Sequence, residues 1–90
     1  MHTQIVWDPA KAASNLQKHG ITFEEAASVL SDYNAISQPD TLSGSEERWI
    51  LVGMSERARL IAVVYTLRGA DCLRLISARK ATTKESWEYA

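Results

Sequence analysis

The apolar stretch within residues 3–7 breaks at Asp8-Pro9, which predicts a short strand followed at once by a helix. Asp is a good N-cap and Pro suits the first helical position, so the helix should run from Pro9 to His19. Lys18 and His19 favour its negative end, and Gly20 can supply a left-handed cap. Thr22-Phe23-Glu24-Glu25 has capping-box spacing, with Glu25 expected to reach back to the Thr22 amide, and opens a second helix. Phe23, Ala26, Ala27 and Leu30 recur at helical spacing and form its buried face. From Asp32 the pattern turns to strands: a short one at residues 35–37, a polar loop at 38–45, then strands at 48–55, 59–68 and 72–79. The turns at 56–58 and 69–71 are short enough to make those three antiparallel neighbours. The middle strand is apolar on both faces, with Leu60, Ala62 and Val64 against Ile61, Val63 and Tyr65, as suits a central strand covered on both sides. Thr82-Thr83-Lys84-Glu85 repeats the capping-box spacing and opens a terminal helix carrying Trp87 and Tyr89. The expected fold is a single α+β domain over residues 1–90: a twisted antiparallel sheet with two N-terminal helices and one C-terminal helix.

Composition narrows the function classes. The longest apolar run, Leu60 to Tyr65, is far below the roughly 20 residues of a membrane-spanning helix, and the first residues lack the pattern of a secretory signal. The lone cysteine, Cys72, cannot form an internal disulfide, which fits a reducing, cytoplasmic setting. No metal-binding spacing and no glycine-rich phosphate loop occurs, so neither a metal nor another cofactor is expected. The formal net charge of −1 hides a division: residues 1–47 carry two basic side chains against seven acidic ones, residues 48–90 eight against four. All six arginines lie in the second part. A cationic half suits an anionic ligand such as a phosphate backbone, although on charge alone a solvated surface of mixed sign is the favoured reading.

Two groups of residues have chemical potential. Lys11, Asn15 and Lys18 share one helical face, and His19 follows four residues after Asn15. An imidazole there can move a proton near neutral pH, or simply stabilise the helix end. On the strands stand Arg68, Arg74 and Arg79. Strict alternation puts Arg79 on the face of Leu73, Leu75 and Ser77, where an arginine is either ion-paired, with Glu85 as a candidate, or functional. Guanidinium groups match phosphate through two parallel hydrogen bonds. Of the aromatics, Trp7, Trp49, Trp87 and Tyr65 are expected in the core, with Tyr89 exposed near the terminus.

Taken together, Trp7-Asp8-Pro9-Ala10-Lys11 with Asn15, Lys18-His19-Gly20-Ile21, Phe23-Glu24-Glu25-Ala26, Arg48 with Gly53, Tyr65-Thr66-Leu67-Arg68, and Leu75-Ile76-Ser77-Ala78-Arg79 followed by Ala81, Glu85 and Tyr89 resemble the BrnT toxins. The resemblance spans essentially the whole chain. It implies a RelE-like fold and a metal-independent endoribonuclease that halts translation, the toxin half of a type II toxin–antitoxin pair. It implies Lys18, His19, Arg68, Arg79 and Tyr89 as catalytic positions; Lys11, Arg74 and Lys80 join them as RNA-binding ones. The implied partners are RNA and a BrnA-type antitoxin in a heteromeric complex, with a heterotetramer among the assemblies open to it. DNA would be contacted only through the antitoxin. The competing reading is a non-catalytic module, a decayed toxin that only binds its partner. Catalysis on the first reading requires Arg68, Arg79 and His19 to converge on one anion-receiving pocket.

Overall fold

A computed structural model describes residues 4–40 and 47–89. Strand β1 (Gln4–Val6) leads into helix α1 (Pro9–His19), helix α2 (Phe23–Ser28) and a 3-10 turn at Val29–Ser31. Strands β2 (Ile36–Pro39), β3 (Trp49–Met54), β4 (Leu60–Leu67) and β5 (Cys72–Lys80) follow, then helix α3 (Thr83–Tyr89). Most of the polar loop expected at 38–45 lies outside the described residues; β2 takes up its first two positions.

The sheet has the order β1-β5-β4-β3-β2, which puts the doubly apolar β4 at its centre. Strands β2 to β5 are antiparallel in sequence, and the short turns from β3 to β4 and from β4 to β5 require it there. β1 departs from the expected antiparallel sheet: it lies parallel to β5, pairing Gln4 with Cys72 and Val6 with Arg74. No tight turn links these two strands. The helices between β1 and β2 carry the chain from one sheet edge to the other, leaving β1 free to run either way.

One sheet face packs Leu51, Ile61, Val63, Leu73, Leu75 and Ala78 against Ile21, Phe23, Ala26 and Val29. Trp7 meets Phe23 edge to face, with centroids 5.9 Å apart. Gly53 is needed at a close approach, because a Cβ there would stand 2.8 Å from the Ala35 Cβ and 2.9 Å from Val29 Cγ1.

The alternation expected along β5 fails at one point. Leu75 opposes Tyr65, but Ser77 opposes Val64, so Ile76 is an extra residue in a β-bulge. The bulge reverses the faces of the remaining strand residues: Ala78 joins Leu73 and Leu75 in the core, while Ser77 and Arg79 turn to the other side. Arg79 therefore does not share a face with the leucines.

The ends of α1 form as its residues dictate. Asp8 Oδ1 accepts from the Ala10 amide at 2.9 Å, and Gly20 takes φ 69° with its amide donating to Leu16 O at 2.8 Å. At α2 only half of the expected box forms. Thr22 Oγ1 accepts from the Glu25 amide at 3.1 Å, but the Glu25 carboxylate turns away to the β3–β4 turn. There it ion-pairs with Arg59 and accepts from Ser55 Oγ at 2.7 Å. The Arg59 guanidinium holds the Glu25 carboxyl below the usual carboxylate range. A cation outcompetes a backbone amide for the same oxygens. At α3 the box is complete: Thr82 N donates to Glu85 Oε1 at 2.8 Å, and Glu85 N to Thr82 Oγ1 at 3.2 Å. Glu85 and Tyr89, four residues apart, face inward, which leaves Trp87 on the outer side and 77% exposed rather than in the core.

Candidate active site

The edge of β5 positions the basic face of α1. β1 pairs β5 only as far as Arg74, so the backbone of Ala78 would be orphaned at an unpaired edge. The Asn15 amide occupies that place. Its Nδ2 donates to Ala78 O at 2.9 Å and to Ile21 O at 3.0 Å, and its Oδ1 accepts from Ala78 N at 3.0 Å. Asn15, 5% exposed, is thus a strand-edge clamp at the floor of the groove described next. Its neighbours on the helix, Lys11, Lys18 and His19, remain exposed. With Ser14, Arg48 and the bulge residues Ile76 and Ser77 they line a groove of about 290 Å³.

A second groove, about 410 Å³, is lined by Val6, Trp7, Asp8, Arg68, Cys72 and Arg74. Arg68 opens the β4–β5 turn, where its amide donates to Cys72 O at 2.8 Å. Arg74 opposes Thr66 and shares the face of Ser77 and Arg79. The two grooves follow one another along β5, Cys72 and Arg74 in one, Ile76 and Ser77 in the other; the segment leading into α1 lines the first and α1 itself the second. Among the described residues, no hydrogen bond or ion pair engages the side chains of Lys11, Lys18, His19, Arg68 or Arg74.

Arg79 and Tyr89 lie elsewhere. Arg79 donates to both Glu85 oxygens, Nη1 to Oε1 at 2.7 Å and Nη2 to Oε2 at 3.0 Å. That fork, with the Thr82 amide, lowers the Glu85 carboxyl to about 2 and raises the Arg79 guanidinium. Tyr89 Oη donates to Asp32 Oδ2 at 2.6 Å, an oxygen that also accepts from the Met54 amide at 2.8 Å. Met54 N, Tyr89 and Asn34 N together hold Asp32 below its ordinary range, and the carboxylate raises Tyr89 in return. Arg79 opposes Ala62, four β4 residues before the partner of Arg74 and six before Arg68, hence about 13 Å and about 20 Å away along the strand. The exposed Lys80 follows Arg79 at that far end. The single pocket required by the sequence reading does not form: Lys18 and His19 stand in one groove, Arg68 in the next, and Arg79 and Tyr89 tie α3 down.

Sequence reasoning missed the contributions of Arg48, Ser77, Trp7 and Asp8 to these grooves. Arg48 and Ser77 depend on the bulge and the register, which no local pattern announces. Trp7 and Asp8 carried a signal, since they immediately follow a strand that had to pair somewhere. No group of three or more His, Cys, Asp or Glu able to hold a metal occurs among the described residues. Among the described residues, no helix is long and apolar enough to cross a membrane.

The fold and the sequence have relatives. The 1.1 Å crystal structure of the Brucella abortus ribonuclease toxin BrnT is similar to this chain, with a TM-score of 0.71 and 28% identity over 90% of this chain and 99% of that one. A search of curated proteins by sequence finds no match. Residues 7–85 match the profile of a family described as the ribonuclease toxin BrnT of type II toxin–antitoxin systems. Those residues run from the tryptophan of the second groove to the glutamate that anchors α3, and the chain belongs to the BrnT family of ribonuclease toxins.

Proposed function

We propose that the chain is a metal-independent endoribonuclease that cuts RNA with the RNA's own 2′-hydroxyl and thereby stops translation. The 2′-oxygen attacks phosphorus, the 5′-oxygen leaves, and a 2′,3′-cyclic phosphate and a 5′-hydroxyl result. The reaction needs a proton acceptor, a proton donor and cationic groups on the phosphate. The observation that carries this reading is the gathering of Lys11, Lys18, His19 and Arg48 in one groove, beside a second with Arg68 and Arg74. His19 is assigned to proton transfer, Lys18 and Arg48 to the charge that grows on the phosphorane, and Lys11, Arg68 and Arg74 to the phosphates on either side. The fold that supports this is RelE-like in our reading, with the sheet presenting the substrate face. Arg79 and Tyr89, nominated by the family resemblance, and Lys80, expected to bind RNA, act at the far end of β5: Arg79 and Tyr89 secure α3, and Lys80 is a peripheral contact for a longer RNA.

The test is cleavage of labelled RNA by purified protein in EDTA. Sustained cutting that His19→Ala abolishes is the expected result. Loss of cutting in chelator overturns the metal-free chemistry, and undiminished cutting by His19→Ala removes the imidazole from it.

A type II family implies an antitoxin partner. We assign that role to a BrnA-type protein, assembled with this chain in a heteromeric complex that includes a heterotetramer among its forms, and itself responsible for any DNA contact. An acidic segment laid over the two grooves would exclude RNA by competition and bind in a salt-sensitive way. The site of action is then cytoplasmic. The non-catalytic reading draws on one observation: Arg79 and Tyr89 are held by carboxylates instead of meeting His19. Expression without the antitoxin separates the two readings, because an active toxin arrests growth and an inert binding module does not.

A further inference from the structure

The second groove contains more than phosphate binding would require. Arg68 and Arg74 supply cations, but Asp8 lines the same space, and a carboxylate repels a phosphate. Asp8 forms no ion pair with either arginine among the described residues, and its Oδ1 accepts only the Ala10 amide. Each carboxylate oxygen offers two acceptor sites, so the group keeps accepting capacity on both. Beside it the half-buried Trp7 offers an aromatic surface, and the groove's volume of about 410 Å³ is of nucleotide size.

We propose that this groove is a nucleotide subsite selective for guanine, holding a base next to the cut so that Asp8 reads it while Arg68 and Arg74 take its phosphate. The inference rests on the reading of the chain as an RNA-binding toxin. Its chemistry comes from donors and acceptors. Single-stranded RNA is recognised by stacking on aromatic side chains and by hydrogen bonds to exposed base edges. On its pairing edge guanine alone has two adjacent donors, N1–H and the N2 amine, which match a carboxylate. Adenine and cytosine place an acceptor beside their amine, and uracil flanks its one N–H with two carbonyls, so a carboxylate is repelled in each case. Trp7 adds stacking that favours purines without telling them apart.

The test uses 2′-O-methyl uridine decamers carrying one central guanine, inosine, adenine or cytosine. These cannot be cut by the 2′-oxygen route, so binding is read by fluorescence anisotropy apart from catalysis. The guanine decamer should bind about tenfold more tightly than the adenine, cytosine or all-uridine ones. Inosine, which keeps N1–H but lacks the amine, should fall between. Asp8→Asn preserves a good helix cap. It should lower guanine affinity while raising that for the adenine, cytosine and all-uridine decamers, through loss of the negative charge; a merely structural loss would weaken all five. Arg74→Ala should weaken every decamer alike and reduce the salt slope by about 0.7. Equal binding of all bases, or a guanine preference that survives Asp8→Asn, overturns the subsite. Guanine-selective binding without cleavage of unmodified RNA would leave the subsite standing and remove the nuclease reading; cleavage indifferent to base would do the reverse.

Discussion

Arginines at the two ends of the sheet meet opposite fates. Near the β3–β4 turn and α3, Arg59 and Arg79 each hold a largely buried carboxylate, Glu25 and Glu85, and join separate elements. Near β1 and the β4–β5 turn, Arg68 and Arg74 line an open groove and engage no carboxylate among the described residues. The residue type is the same; the neighbours decide. A paired guanidinium has its charge answered within the fold, whereas an unanswered one keeps its field available to an incoming anion. Counting basic residues therefore overstates the binding surface, and the sign of the surrounding side chains corrects the count.

Substitutions on either side probe that contrast. The largest effect should come from the unanswered side: His19→Ala should cut RNA roughly 10²–10⁴-fold more slowly, as loss of a general acid or base does. Its melting temperature should stay within a degree or two, because His19 is exposed. A melting drop comparable to that of a core variant would show the imidazole to be structural. Next comes Asn15→Ala, which strands the Ala78 amide and carbonyl at a buried edge and should cost about 2–4 kcal/mol in urea unfolding.

On the answered side, Glu85→Gln removes the fork to Arg79. It should cost about 1–2 kcal/mol, allowing for the solvent that reaches the partly exposed guanidinium. The same pair gives a pH signature. Its carboxyl lies near 2 when folded against an ordinary value of 4.5, so the stabilisation is complete above pH 4.5 and fades as pH falls towards 2. Glu85→Gln should flatten that acid limb of the stability profile; an unchanged limb would mean that other carboxylates dominate it. The smallest effect is a gain: Ala58 sits at φ 58° in the β3–β4 turn, and Ala58→Gly should stabilise by up to about 1 kcal/mol. A loss there would show that the turn tolerates its alanine without strain.

Much of this fold was legible because local chemistry fixes it. Asp8-Pro9, Gly20 and Thr82 set helix ends at the expected places, and the doubly apolar β4 is the central strand. What escaped the sequence depends on partners distant along the chain. The parallel pairing of β1 joins residues almost seventy positions apart, and the Ile76 bulge shows only against the β4 register. That one extra residue decides where Arg79 points, so strict alternation misplaced it. Glu25 likewise had a local role available in the capping box and took a distant one with Arg59. Lys11, Lys18 and His19 were found together because a single helix carries them, whereas convergence across strands could not be deduced from spacing.

The strand that opens the chain has a temporal consequence. Trp7 and Asp8 form one wall of their groove and Arg68, Cys72 and Arg74 the other, with β1 pairing on β5 holding the walls together. During synthesis the first wall leaves the ribosome long before the second, and it must wait, since such nonlocal pairing cannot precede the arrival of its mate. A truncated or still-growing chain that lacks β5 has half a groove and no strand edge for Asn15 to clamp. The toxin is unassembled until β5 has been made.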